Sequence, residues 1–325
     1  MKNNSIEEIA KVLLGGEKIV LYPHIGMDGD AVGSCSALCE ALLRAGKEAS
    51  VYIIEDVPEN LSFLCGDFFH NDGEKAASAD ISVCVDCGDL GRIKGREQAF
   101  LSAATTVCID HHNTSEPFCI YNHIDGSQAA TGQLIYKLIK AMNIEIKKET
   151  AGRIFAALLT DTGGFQYSNT QKETFDIASD LMDKGLNPND VSVEIFENDR
   201  LEKIKIESMS IDHMRSLCGG KVLIAYVSQE MLEESGAYMN ETNGIVGTLR
   251  SVRGAEVAVF VKEKAKNDIK VSMRSKKYVD VSKIAAAFDG GGHVRAAGFS
   301  MDCSLQEALV RLEKILEKEM EKYND

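Results

Sequence analysis

The 325-residue chain lacks any apolar run approaching the ~20 residues of a membrane-spanning helix. It also lacks a basic excess. Thirty-six lysines and arginines face 50 aspartates and glutamates, for a net charge of −14. That balance argues against a protein that tracks long nucleic acid through a basic groove. It leaves room for a small phosphorylated substrate, because a few arginines and bound cations reverse the field locally. The opening stretch, MKNNSIEEIAKVLLGG, is acidic and amphipathic, without the apolar core or cleavage site of a signal peptide, so a cytoplasmic location is expected. The nine cysteines lack metal-knuckle spacing; the close pair Cys84 and Cys87 brackets Asp86 at a strand end. An odd count without a secretion signal argues for reduced, mostly buried thiols, with Cys84 and Cys108 in apolar packing. No internal repeat or low-complexity segment is present. Histidine is scarce, with seven in all, yet two of them stand side by side in VCIDHH.

What is present is an alternation of strands and helices. KIVLYP (18–23), ASVYII (49–54), ISVCVD (81–86) and TTVCID (105–110) read as strands, nearly continuous in apolar character and so covered on both faces. Helical patterns over 31–46, 129–141, 149–159 and 171–184 intervene or follow. The expected fold class is α/β: a doubly wound parallel-sheet N-terminal domain (1–190), a charged helical connector (191–218) and a smaller α/β C-terminal domain (219–325). In the second half, KVLIAYVS (221–228) reads as a strand. AEVAVFVKE and DIKVSMRS read as a strand pair, DGGGHVRAAGFS (289–300) as a glycine loop, and the stretch from Leu305 to Met320 as a helix with one apolar face.

Acids and histidines fall at the ends of these elements. His24, Asp28 and Asp30 follow the first strand, Asp86 ends another, Asp110, His111 and His112 end a third, and Asp161 follows an apolar run. In an open parallel sheet ligands bind beyond the carboxyl ends of the strands, so all four clusters are expected at one edge. So many carboxylates raise one another's pKa, and divalent cations remove that repulsion. Two histidines and four aspartates suffice for two ions if one carboxylate bridges. Mixed nitrogen and oxygen ligation favours Mn²⁺ or a similar first-row ion. Such a pair is a recurring device for hydrolysing phosphate esters. Each residue alone has a plainer reading: Asp28 or Asp30 as a helix cap, Asp86 as a turn residue, the histidine pair as a solvated turn. Their joint placement is what points to metals.

HIGMDGDAVGS, VCVDCGD, IDHHNT and LLTDTGGFQYS resemble the four motifs of the DHH phosphoesterase superfamily, and GGGHVRAAGF resembles the signature of its associated C-terminal domain. The resemblance spans about residues 17 to 300. It implies that His24, Asp28 and Asp86 hold one metal and that Asp30, Asp86, His111 and Asp161 hold the other. It also implies that His112 faces the substrate phosphate and that Asp110 orients a ligand histidine. The first motif departs from the common form, which often has Asn-Pro before its first aspartate; here the residues are IGMD, with the ligand positions intact.

In the second domain, Gly291 and Gly292 allow backbone N–H groups to approach an anion, with His293 and Arg295 beside them and Arg274 and Ser275 at a strand end. An active site in the interdomain cleft, limiting substrate length, is expected. Length and the missing extra modules place the resemblance with the branch that degrades very short oligoribonucleotides and removes the 3′-phosphate of 3′-phosphoadenosine 5′-phosphate. Relatives of the same architecture act on cyclic di-AMP or pApA, and a non-catalytic nucleotide sensor is the reading from another class. The expected partners are short oligoribonucleotides and phosphorylated nucleotides, with no long nucleic acid and no membrane; a homodimer through the first domain or the connector is one expectation for assembly.

Overall fold

The structure is a computed structural model that describes residues 3–323; the outermost positions of the two expected domain ranges, 1–2 and 324–325, lie outside the described residues. The chain divides into two compact units with the boundary between Asn198 and Asp199.

The first unit is built on six strands: β1 (Lys18–Tyr22), β2 (Glu48–Tyr52), β3 (Phe69–His70), β4 (Ile81–Val85), β5 (Thr105–Asp110) and β6 (Tyr121–Ile124). They lie in the order β3-β2-β1-β4-β5-β6, and every pairing is parallel. β4, whose sequence is ISVCV, is buried at every position, as its unbroken apolar run requires. On one face the helices Gly29–Arg44, Thr131–Ala141 and Lys148–Asp161 pack against one another over a core that includes Leu21, Leu38, Val83, Ile109, Leu134 and Ile154. On the other, Tyr22, Cys84, Phe100 and Cys108 form a second cluster. The strand order reverses between β1 and β4, and a crevice opens beyond the carboxyl ends at such a point. Register sets Tyr22 beside Cys84 and Cys84 beside Cys108, so β1, β4 and β5 end nearly level.

The expected connector helix is instead two helices, Pro188–Phe196 and Leu201–Asp212, one in each unit. The break lies at Asn198–Arg200. Arg200 is extended (φ −65°, ψ 147°), and its guanidinium pairs with Glu241 and lies 4.5 Å from the Tyr238 ring centroid. The start of the second helix is thereby tied into the second unit. The break falls on Asn198 and Asp199, weak helix formers that favour caps and turns, within a run whose many charged residues read as one helix.

The second unit holds β7 (Arg215–Leu217), β8 (Val222–Val227), β9 (Val257–Ala265), β10 (Asp268–Ser275), β11 (Gly291–His293) and β12 (Ala296–Met301), in the order β11-β12-β10-β9-β8-β7. Only β8 and β9 pair in parallel. The helix Leu305–Glu321 buries Leu309, Leu312, Leu316 and Met320, the face its spacing predicted. The glycine segment is not a loop but a hairpin: Gly291 pairs with Gly298 and His293 with Ala296. Gly292 has φ +141°, and a Cβ there would lie 2.4 Å from the Ala296 carbonyl oxygen, so glycine is what lets β11 lie flat on β12. No helix among the described residues is long and apolar enough to cross a membrane.

Candidate metal centre

Strand ends and helix ends deliver the polar side chains to one place. His24 follows β1 after Pro23, Asp86 follows β4 directly, and Asp110 closes β5 ahead of His111 and His112. Asp28 and Asp30 open the helix Gly29–Arg44, and Asp161 closes Lys148–Asp161. His24 Nε2 lies 3.6 Å from Asp28 Oδ2 and 3.5 Å from Asp86 Oδ2. His111 Nε2 lies 3.6 Å from Asp30 Oδ2, 3.7 Å from Asp86 Oδ1 and 3.3 Å from Asp161 Oδ2. Asp86 therefore sends one oxygen toward each histidine. Ligand atoms held about 2.1 Å from one cation stand roughly 3.0–3.5 Å apart, close to these separations. Two trios, His24–Asp28–Asp86 and Asp30–His111–Asp161, each keep their ligand atoms within 4.8 Å of one another.

The histidines are oriented from behind. His24 Nδ1 is 3.0 Å from the Ile25 carbonyl and His111 Nδ1 is 3.2 Å from the Gln128 carbonyl. A carbonyl only accepts, so Nδ1 donates in each ring and Nε2 is turned to the carboxylates. Asp86 sits in the left-handed region (φ 59°), its N–H donating to the Ile109 carbonyl and its Oδ1 accepting from the Thr131 hydroxyl at 2.8 Å. Asp28 does both things its position allows. Oδ1 caps the helix at the Ala31 N–H, 3.0 Å away, while Oδ2 faces His24.

No lysine or arginine among the described residues forms an ion pair with Asp28, Asp30, Asp86 or Asp161. Burial, then Asp86, Asp161 and Asp28, push Asp30 well above the usual carboxylate range, although the Thr131 and Gly132 N–H groups donate to it at 2.6 and 2.9 Å. Burial is also the main cause lifting Asp161 to about 6. For His24, burial pulls downward, but hydrogen bonds with Asp28 and Asp86 outweigh it and raise the imidazole to about 10. A site that holds an imidazole proton so firmly offers the same lone pair to a metal ion. The donor set thus fits divalent cations.

The neighbouring pair has a different partner from the one anticipated. Asp110, fully buried, accepts from His112 Nδ1 at 2.8 Å and from the Ser115 hydroxyl. It orients His112, not the ligand-type His111, which leans on Gln128. The Asp110 hydrogen bond raises His112 to about 9 against the opposing effect of burial. Sequence reasoning missed Thr131, Ser115 and Gln128. Thr131 and Ser115 have the hydroxyls expected near such a site, whereas Gln128 acts through a carbonyl, which any residue supplies.

In the second unit the structure separates the residues grouped by sequence. Ser275 donates its hydroxyl to the Val279 carbonyl at 2.7 Å, and Arg295 donates to the Val279 carbonyl at 2.8 Å and to that of Lys277. Both hold the 277–279 loop, whose N–H groups are also bound by the buried Glu256 carboxylate. Arg274 and His293 each register with Ala296 and therefore share one face, two strands apart, with a small residue between them. Gly291 lies on β11 two positions before His293, exposed.

Comparison with known proteins agrees with this architecture. Residues 18–160 match the DHH family, N-terminal domain, and residues 219–322 match the DHHA1 domain. A protein of Thermus thermophilus named bifunctional oligoribonuclease and PAP phosphatase NrnA is 31% identical over 98% of this chain and 94% of its own length. The Bacillus subtilis protein of the same name is 28% identical over 90% of this chain and 92% of its own. An exopolyphosphatase-related protein from Bacteroides fragilis superposes with a TM-score of 0.88 at 26% identity, covering 98% of this chain and 96% of that one. Exonuclease RecJ bound to manganese shares the fold at a TM-score of 0.57 and 14% identity, covering 99% of this chain and 95% of that one.

Proposed function

The chain belongs to the DHH family of phosphoesterases, and from that premise we propose that it hydrolyses very short oligoribonucleotides to mononucleotides and removes the 3′-phosphate of 3′-phosphoadenosine 5′-phosphate, with two divalent ions, Mn²⁺ by preference. The observation that carries this reading is Asp86, one oxygen toward His24 and the other toward His111. The two full-length relatives named as oligoribonuclease and PAP phosphatase support the choice of substrate.

His24, Asp28 and Asp86 would hold one ion, and Asp30, Asp86, His111 and Asp161 the other. Such a pair supplies a deprotonated water and neutralises charge on the phosphate during in-line displacement. His112, whose protonated form Asp110 favours, donates a hydrogen bond to a phosphate oxygen as charge develops there. Arg274 and His293, with the exposed backbone at Gly291 and Gly292, receive a terminal phosphate of the substrate. Ser275 and Arg295 fix the loop beside them. A cytoplasmic setting suits the nine free thiols.

The test is product release in Mn²⁺ from an RNA dinucleotide, a longer RNA, 3′-phosphoadenosine 5′-phosphate, pApA and cyclic di-AMP. Fast turnover of the dinucleotide and the 3′-phosphate, with little of the cyclic form, is expected. Dominant turnover of cyclic di-AMP or pApA would replace this reading with a signalling role, and nucleotide binding without turnover would replace it with a sensor.

A further inference from the structure

Beside the carboxylate cluster, within the first unit, lies a cavity of about 360 Å³ lined by residues 88–89 and 114–118. That volume is in the range of small-molecule sites. Thr114 is two residues beyond His112, and Gly88 is two beyond Asp86, so each lies within about 7.6 Å, Cα to Cα, of a residue of the centre. Ser115 in its wall donates to Asp110, which in turn holds His112.

The lining says what kind of group fits. It contains no lysine or arginine. Glu116 is exposed and forms no hydrogen bond or ion pair among the described residues, and Asp89 uses one oxygen to cap the Gly91 N–H at 2.7 Å. Two carboxylates repel a phosphate, and they accept from hydroxyl and amino groups. Phe118 and Pro117, both partly exposed, offer a planar apolar wall. Ribose hydroxyls and a base meet both requirements.

We propose that this cavity receives the nucleoside attached to the scissile phosphate, with Glu116 accepting from the ribose hydroxyls and Phe118 packing on the base. The proposal rests on the reading of the centre as a nucleotide phosphoesterase. It explains how an acidic protein discriminates a nucleotide from other phosphate esters. The scissile phosphate goes to the metal centre, and the uncharged nucleoside beside it goes to a pocket that rejects anions.

The experiment compares the full-length wild type with Glu116→Gln and Phe118→Leu in Mn²⁺, on an RNA dinucleotide and on methyl p-nitrophenyl phosphate, a diester without a nucleoside. Each substitution is expected to lower kcat/KM for the dinucleotide about tenfold through KM and to leave the aryl diester unchanged. Equal losses on both substrates, or none on either, would overturn the proposal. A second arm measures AMP binding by calorimetry. Weaker binding in both variants supports the cavity even where wild-type protein fails to cleave RNA, a failure that would sink the substrate reading alone. Unchanged AMP affinity in both variants overturns the cavity.

Discussion

The carboxylate edge of the first unit and the glycine-bearing hairpin of the second teach opposite lessons about polar residues. In the first, side chains scattered from position 24 to 161 converge until histidine nitrogens and carboxylate oxygens stand 3.3–3.7 Å apart. In the second, Arg274 and Ser275 are adjacent in sequence and yet part company: Ser275 is buried against the 277–279 loop and Arg274 takes the opposite face. The cause is geometric. Parallel strands all end at the same edge, so residues just past their carboxyl ends are collected. Along one strand, successive side chains alternate between faces, so neighbours are separated.

The sharpest way to break the first arrangement is at its shared residue. Asp86→Ala should lower phosphoester hydrolysis by on the order of 10³-fold or more and abolish both Mn²⁺ sites in calorimetry. Asp161→Ala should remove one Mn²⁺ site and leave the other. Two intact Mn²⁺ sites in the Asp86 variant would show that the oxygens facing His24 and His111 do not bridge.

Next comes the support behind His112. A Cβ at Gly88 would fall 2.4 Å from Ser115 Oγ, so Gly88→Ala should dislodge the hydroxyl from Asp110. Activity should fall by about 10- to 100-fold, the usual cost of losing such support, with Mn²⁺ affinity retained. Wild-type kcat in that variant would leave the Ser115 hydroxyl without a role in orienting His112 through Asp110.

In the second unit the comparison becomes a division of labour. Arg295→Ala strips donors from the Lys277 and Val279 carbonyls and should lower Tm, reflecting about 1–3 kcal/mol. Arg274→Ala removes a side chain that, among the described residues, bonds only the Met273 carbonyl, at 3.0 Å, and should raise KM for a terminally phosphorylated substrate about tenfold with little change in Tm. Interchanged outcomes, a KM effect from Arg295 and a Tm effect from Arg274, would reverse the assignment.

These contrasts also explain what was legible in the sequence. Continuous apolar runs identified β1, β2, β4 and β5 because burial on both faces leaves no other composition. β3 escaped because Phe69–His70 is too short to carry a pattern, and β6 because YNHI mixes polar residues at a sheet edge. The ligand-type residues stood out because carboxylates and imidazoles at strand ends are costly without a purpose. Gln128 did not, since its contribution is a main-chain oxygen. The partner of Asp110 was also hidden: adjacency places it next to both histidines, and only the turn after β5 decides which one it reaches.

A last contrast concerns buried charge. The first unit surrounds its buried aspartates with imidazoles, whereas in the second Lys262 is 8% exposed and has no ion-pair partner among the described residues; its ammonium donates to the Asn243 side chain at 2.6 Å. Burial, with Lys270 adding to it, lowers Lys262 to about 8. The unfolded chain titrates near 10.4, so below about 8 both states carry the proton and the folded state bears the full cost of burying it. Between about 8 and 10.4 the unfolded state binds a proton that the folded state lacks, so this residue's contribution to stability rises with pH across that window. Lys262→Met should therefore raise Tm most at pH 7, and its advantage over wild type should shrink by pH 10. The Asn243 side chain, exposed, can turn to water when its partner is removed. A gain that is the same at pH 7 and pH 10 would mean that Lys262 is charged in the fold throughout, and that the second unit tolerates a buried cation as well as the first tolerates its acids.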